Sequence, residues 1–193
     1  VLAIHLGMTG RLLAGGTPGP HTHACLVLNG LTVLFDDPRQ FGSVRWLPRE
    51  PEGLGPDALA VGAAEFTLRL RSRKGSLKPL LLNQSFLRGL GNIYTDEALF
   101  RARIHPLAAA AGLSKARAEK LHAAIREVLT EAVASGGSSV SDYVDAEGRR
   151  GWFQIQHRVY RRTGEPCLTC GAPIRRILVA QRGTHFCPRC QRR

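Results

Sequence analysis

Acids, lysines, aromatics and long apolar runs are all scarce in this 193-residue chain. Fifteen Asp and Glu stand against 27 Lys and Arg, a formal charge of +12, so the surface is neither acidic nor balanced and suits a polyanionic partner. Only Lys74, Lys78, Lys115 and Lys120 are lysines. The charge is therefore carried by arginine, whose planar fork matches phosphate geometry. Aromatic residues make up 6%, and no stacking platform of the kind that reads single-stranded RNA is visible, which disfavours an RNA-binding zinc ribbon. No stretch approaches the roughly 20 apolar residues that span a bilayer. The opening Val1-Leu2-Ala3-Ile4-His5 has no basic segment before its apolar one, and the sequence predicts a cytoplasmic protein. What remains, 44% hydrophobic, suffices for one good core or two small ones.

Cysteine is also rare, but four of the five are grouped: Cys167-Leu-Thr-Cys170 and Cys187-Pro-Arg-Cys190. Two such knuckles offer four soft thiolates that can close tetrahedrally on Zn²⁺, and their separation falls in the range of zinc sites. Closed four-thiolate sites are structural, so one ion is expected to fold the tail without doing chemistry. Two disulfides in a secreted protein are the bland alternative, and nothing else in the chain reads as secreted. A thioredoxin-like pair is weaker still, because neither knuckle opens a helix of a βαβ unit. The fifth, Cys25, is predicted to be a buried strand thiol. Around the knuckles, residues 149 to 193 hold eleven arginines against the single acid Glu165, which makes nucleic acid the default partner.

The first 47 residues alternate in short apolar bursts. Leu2–Leu6, Ala24–Leu28, Leu31–Phe35 and Ser43–Leu47 read as strands, with Asn29-Gly30 as a two-residue hairpin turn. Three prolines and two glycines between Pro48 and Asp57 predict a linker. From about Ala58 to Ser135 the pattern is helical. It is clearest where Leu121, Ile125, Val128, Leu129 and Ala132 form one stripe, with Ser114 as N-cap and Gly136-Gly137 as stop. A shorter helix is predicted from Asn92 to about Arg103, after the turn Arg88-Gly-Leu-Gly-Asn92. Beyond Gly137 the chain is polar through Arg150 and then enters the basic tail.

Three blocks, His5-Leu-Gly-Met-Thr-Gly10, Asp37-Pro-Arg-Gln-Phe-Gly42 and Gly89-Leu-Gly-Asn-Ile-Tyr-Thr-Asp-Glu-Ala98, occur in this order. Together with Val159-Tyr-Arg-Arg-Thr-Gly-Glu-Pro-Cys167 and Gln181-Arg-Gly-Thr-His-Phe-Cys187, they make the whole chain resemble the formamidopyrimidine-DNA glycosylase family. The resemblance implies an α+β protein in three parts: a β-sandwich remnant over 1–53, a helix-two-turn-helix module over 54–148, and a base-binding loop with a four-cysteine zinc finger over 149–193. It implies base-excision repair: removal of oxidised purines such as 8-oxoguanine and formamidopyrimidines, then lyase cleavage of the abasic strand through a Schiff base. The partner is duplex DNA carrying oxidised bases or abasic sites, engaged by a monomer and not at a membrane.

An enzyme that acts on a stacked base must extrude it and fill the gap. In the resemblance Met8, Arg39 and Phe41 are the void fillers; taken singly, Met8 and Phe41 read rather as core and Arg39 as a turn residue after Pro38, and the family context reverses this for Met8 and Phe41. His5, His21, Arg39, Lys74, Asn92, Tyr160 and Arg182 are the implied DNA contacts, with Arg182 also implied in the second elimination. Asn92 could otherwise be a simple N-cap. The four finger cysteines are the implied zinc ligands. The family's N-terminal nucleophile, a proline followed by glutamate, has no match, because the sequence opens Val1-Leu2; its catalytic lysine is unmatched too. The expectation is an N-terminally truncated form of an active parent, itself inactive. The rival readings are a non-catalytic zinc-dependent binder of damaged DNA and the pyrimidine-specific endonuclease branch. The long polar segment from Gly137 to Cys167 favours the purine branch, with lesion choice set around Arg149 to Gln156.

Overall fold

A computed structural model of the chain describes residues 1–137 and 151–192. The polar segment assigned above to base binding lies mostly outside the described residues, as does the 148/149 boundary. The described chain forms two compact units, Val1–Glu52 with Ala132–Gln156, and Gly53–Glu131 with His157–Arg193.

In the first unit, β1 (Leu2–His5) pairs antiparallel with β5 (Ser43–Trp46). A second antiparallel sheet has the order β2 (Arg11–Ala14), β4 (Leu31–Asp36), β3 (Thr22–Leu28). The Asn29-Gly30 turn joins β3 to β4 with φ of 48° and 84°, the mirror-image turn whose twist suits paired strands. Strand β2 was not expected: Arg-Leu-Leu-Ala between glycines has little strand propensity, and it is extended because it pairs with the free edge of β4. Leu34 and Phe35 of β4 are buried, whereas Leu2, Val27, Leu28, Leu31 and Trp46 are exposed. Cys25 corrects the expectation of a buried thiol. It sits in β3 as predicted but on the exposed side, because burial along that strand alternates and its two neighbours point the other way.

The second unit is built from α1 (Ala63–Arg71), α2 (Leu77–Leu82), α3 (Asn92–Arg101) and α4 (Lys115–Ala134) up to Glu131. Phe66, Leu70, Leu77, Leu81, Leu99, Leu121 and Ile125 form its buried core. Pro79 falls in the first turn of α2, where a helix needs no N–H from it. Ser114 caps α4 as expected, its hydroxyl accepting the Arg117 N–H at 3.3 Å, and Gly136 and Gly137 follow its end at φ 68° and 86°. Helix α3 stops at Arg101 rather than near Arg103, because Arg103 turns to φ 57°. Strands β6 (Arg175–Val179) and β7 (Arg182–Phe186) form a hairpin over Ala180-Gln181, and Val159, Cys167, Ile174 and Cys187 pack beneath it against Phe100. Among the described residues no helix is long and apolar enough to cross a membrane.

Candidate nucleic-acid interface and metal centre

The knuckles bring the Sγ atoms of Cys167, Cys170, Cys187 and Cys190 within 4.8 Å of one another. Cys170 and Cys187 are 3.4 Å apart, and Cys167 and Cys190 4.0 Å. Four thiolates at about 2.3 Å from a central zinc stand about 3.8 Å apart, so the cluster lies close to the spacing the ion requires. The backbone around the knuckles already favours charge at some sulfurs: the Ala172 N–H is the main reason the Cys170 thiol is lowered to about 7. Burial acts the other way, raising Cys187 and pushing Cys190 up to about 12. Four thiolates in so small a volume need a cation to offset their repulsion.

The finger is tied to α3 by two adjacent acids. Asp96 and Glu97 are both buried, the first fully. One Asp96 oxygen takes the Lys78 ammonium at 2.5 Å, and the other accepts the His185 N–H at 2.8 Å. Glu97 accepts the backbone N–H groups of Arg158, Val159 and Tyr160 at 2.9 to 3.0 Å. Burial, the largest influence, still raises the Glu97 carboxyl above its ordinary value against the pull of those amides. Lys78 is lowered by burial, with Asp96 opposing. Asn92 opens α3 and donates Nδ2 to the Gly183 carbonyl at 3.2 Å, next to the exposed Arg182 at the hairpin tip. The first amides of such a helix have no carbonyl one turn back and face an anion readily. The Tyr160 ring meets the His185 ring edge-on at 5.0 Å. Lys74 is exposed on the loop between α1 and α2.

In the first unit His5 ends β1, Met8 lies in the following turn at 64% exposure, and Phe41 lies in the β4–β5 loop at 55%. The Arg39 guanidinium sits 4.9 Å over the Phe41 ring, within cation–π range. His21 is exposed, one residue before β3. The turn carrying Met8 touches the loop carrying Phe41: at Gly7, φ 63°, a Cβ would lie 3.0 Å from the Phe41 backbone. Thus Asn92 and Arg182 are neighbours in one unit, and Met8, Arg39 and Phe41 in the other.

Four residues at these sites carry no role in the sequence reading: Asp37, Lys78, Asp96 and Glu97. Lys78 had a legible signal, a lone charge inside Leu77-Lys-Pro-Leu-Leu-Leu82, which asks for a buried counter-ion. The adjacent acids Asp96-Glu97 within an otherwise apolar helical turn were a second.

The four-cysteine hairpin is tied to the start of α3 in one unit, and the β-rich unit carries the exposed side chains of Met8 and Phe41. The chain matches three family models: the formamidopyrimidine-DNA glycosylase N-terminal domain over 1–44, the H2TH domain of the same enzymes over 53–144, and the zinc finger found in FPG and IleRS over 164–193. A formamidopyrimidine-DNA glycosylase of Solibacter usitatus is 58% identical over 195 residues, spanning 100% of this chain and 74% of the relative. The crystal structure of MutM (Fpg) from Thermus thermophilus superposes with a TM-score of 0.87 at 48% identity, covering 98% of this chain and 75% of that one. Lactococcus lactis Fpg superposes at 0.88 with 35% identity, covering 100% and 75%. The chain belongs to the formamidopyrimidine-DNA glycosylase family, DNA glycosylases and AP lyases of base-excision repair, and shares its α+β fold and its zinc finger.

Proposed function

We infer that this chain grips lesion-bearing duplex DNA through two sets of side chains. Asn92, Arg182, Lys74 and Tyr160 hold the phosphate backbone, with His5 and His21 as further contacts. Met8, Arg39 and Phe41 occupy the space left by the extruded nucleotide, Arg39 offering its donors to the unpaired base opposite and Phe41 its ring to the neighbouring stack. The carrying observation is the Asn92–Gly183 hydrogen bond, which sets a helix start and the arginine at the hairpin tip side by side as one donor-rich edge. Tyr160 commits its backbone N–H to Glu97, so its DNA contact is made by the phenol. The Lactococcus lactis relative has been determined with abasic-site DNA, which supports an abasic duplex as a ligand of this chain as well.

On this reading Arg182 has a second part, assisting the later elimination once the strand is open at the abasic site. The functional division is a β-rich wedge part over 1–53, a helical grip over 54–148 and a loop with zinc finger over 149–193. The protein works as a cytoplasmic monomer on the chromosome. Arg182→Ala tests the grip. Binding to an abasic duplex, followed across a salt series, should lose about 0.9 from the slope of log K against log salt, the signature of one lost phosphate contact. An unchanged slope and affinity would remove Arg182 from the interface.

A further inference from the structure

We propose that Asp37 is the positioning residue of the base-displacing wedge, its one carboxylate fastening the loop that carries Arg39 and Phe41 to the turn that carries Met8. This rests on the reading of Met8, Arg39 and Phe41 as gap fillers. Asp37 is fully buried, and all the partners of its carboxylate are donors. One oxygen accepts the Thr9 hydroxyl at 2.6 Å and the Arg39 N–H at 3.3 Å; the other accepts the Gly42 N–H at 2.7 Å. Its backbone extends the same junction. The Asp37 carbonyl accepts the Gln40 N–H at 3.2 Å and lies 3.0 Å from His23 Nε2, while the Asp37 N–H donates to the His21 carbonyl at 2.9 Å. The segments carrying Met8, His21, Arg39 and Phe41 therefore meet at one residue.

Exposed wedges on short loops have little packing of their own, so their conformation must be set from behind. Ordering them on binding would otherwise consume affinity, whereas loops already fixed lose little entropy. The space around Asp37 allows no slack. A Cβ at Gly42 would lie 2.6 Å from Phe35 Cζ and 2.8 Å from the His5 carbonyl, and Gln40 is held at φ 56°, a region glycine favours. A carboxylate is required there because an amide turned either way sets its NH₂ against an N–H, of Gly42 or of Arg39. The Thr9 hydroxyl, ahead of the amides of Gly42, Arg39 and Phe41, keeps the Asp37 carboxyl below its usual range, so the charge is retained.

The test uses the 193-residue chain, zinc-loaded, and a duplex with an abasic analogue opposite 2-aminopurine, whose fluorescence reports whether the orphaned base is contacted. Affinity for this duplex is compared with that for an intact one. Asp37→Ala should lower the abasic-over-intact ratio by about tenfold and abolish the fluorescence change, leaving intact-duplex affinity within about twofold. Phe41→Ala added to Asp37→Ala should cost less than about a further twofold, because a wedge already loose has little left to lose. Thr9→Val, nearly isosteric and without loss of charge, should move the ratio the same way by about threefold, and it decides the matter if Asp37→Ala does not fold. If Phe41→Ala and Met8→Ala alone leave the ratio unchanged, the gap-filling reading fails and the inference falls with it. If those two lower the ratio while Asp37→Ala and Thr9→Val do not, or if the Asp37 and Phe41 losses multiply, the positioning role alone is overturned.

Discussion

Removing the Asp96 carboxylate should be among the most damaging single changes in the second unit. Lys78 and Asp96 are both fully buried, and the ammonium's other contact is the Gly183 carbonyl at 3.4 Å. Asp96→Ala strands that ammonium and also orphans the His185 N–H. An uncompensated buried charge costs about 3–5 kcal/mol, which for a unit of this size is a fall of about 12–20 °C in Tm. The assay is denaturant unfolding followed by circular dichroism at pH 7 and at pH 9.5. Burial already holds Lys78 below 10.5, and without Asp96 nothing opposes that shift. A lysine whose folded pKa is depressed destabilises the protein below that pKa, and stability returns as pH climbs toward its unfolded value. Asp96→Ala should therefore recover part of its loss at pH 9.5. The pair Lys78→Met with Asp96→Asn removes both charges and keeps an oxygen for the His185 N–H. It should lose only about 1–2 kcal/mol and show no recovery with pH. A loss below about 1 kcal/mol for Asp96→Ala at pH 7, or a pair as damaged as the single variant, would refute the assignment of the loss to a stranded buried ammonium.

Stripping the metal should unfold the β6–β7 hairpin while the core of α1 to α4 keeps its helical signal, because that core is apolar and the finger is held by its cysteines. Chelation followed by circular dichroism and a gel shift should show lost DNA binding ahead of lost helix, and unchanged binding would contradict the role given to the hairpin. His157 is held down to about 4 by burial, with Arg161 adding to the effect. It therefore contributes stability that is complete above about pH 6.5 and falls away between there and about pH 4. Replacing it by Gln should narrow the stability gap to the parent on going from pH 7 to pH 5; a gap that stays constant would contradict a buried neutral histidine.

Much of the fold could be read in the chain because it depends on neighbours in sequence. The Asn29-Gly30 turn, the Ser114 cap and the glycines after α4 are local backbone chemistry, and each stands where its residue types place it. The cysteine knuckles likewise carry their geometry in their spacing. Strand β2 could not be read this way, because a helix-prone tetrapeptide is made extended only by the free edge of β4, about twenty residues on. The exposure of Cys25 depends on which face of β3 is covered, and composition is silent on that.

The candidate site divides along the same line. By itself the sequence determined the family, the grouping of the four cysteines and the arginine-borne charge, and it named the motif residues proposed to meet DNA, since each is a matter of residue type and order. Only the tertiary structure decided that Asp37 joins the turns bearing Met8 and Phe41, and that Asp96 and Glu97 each hold a different segment of the tail. It also set Asn92 beside Arg182 through the Gly183 carbonyl. A buried carboxylate is recruited by donors far away in the chain, and its partners are fixed by the desolvation penalty of leaving it alone, a condition that exists only once the core has closed around it.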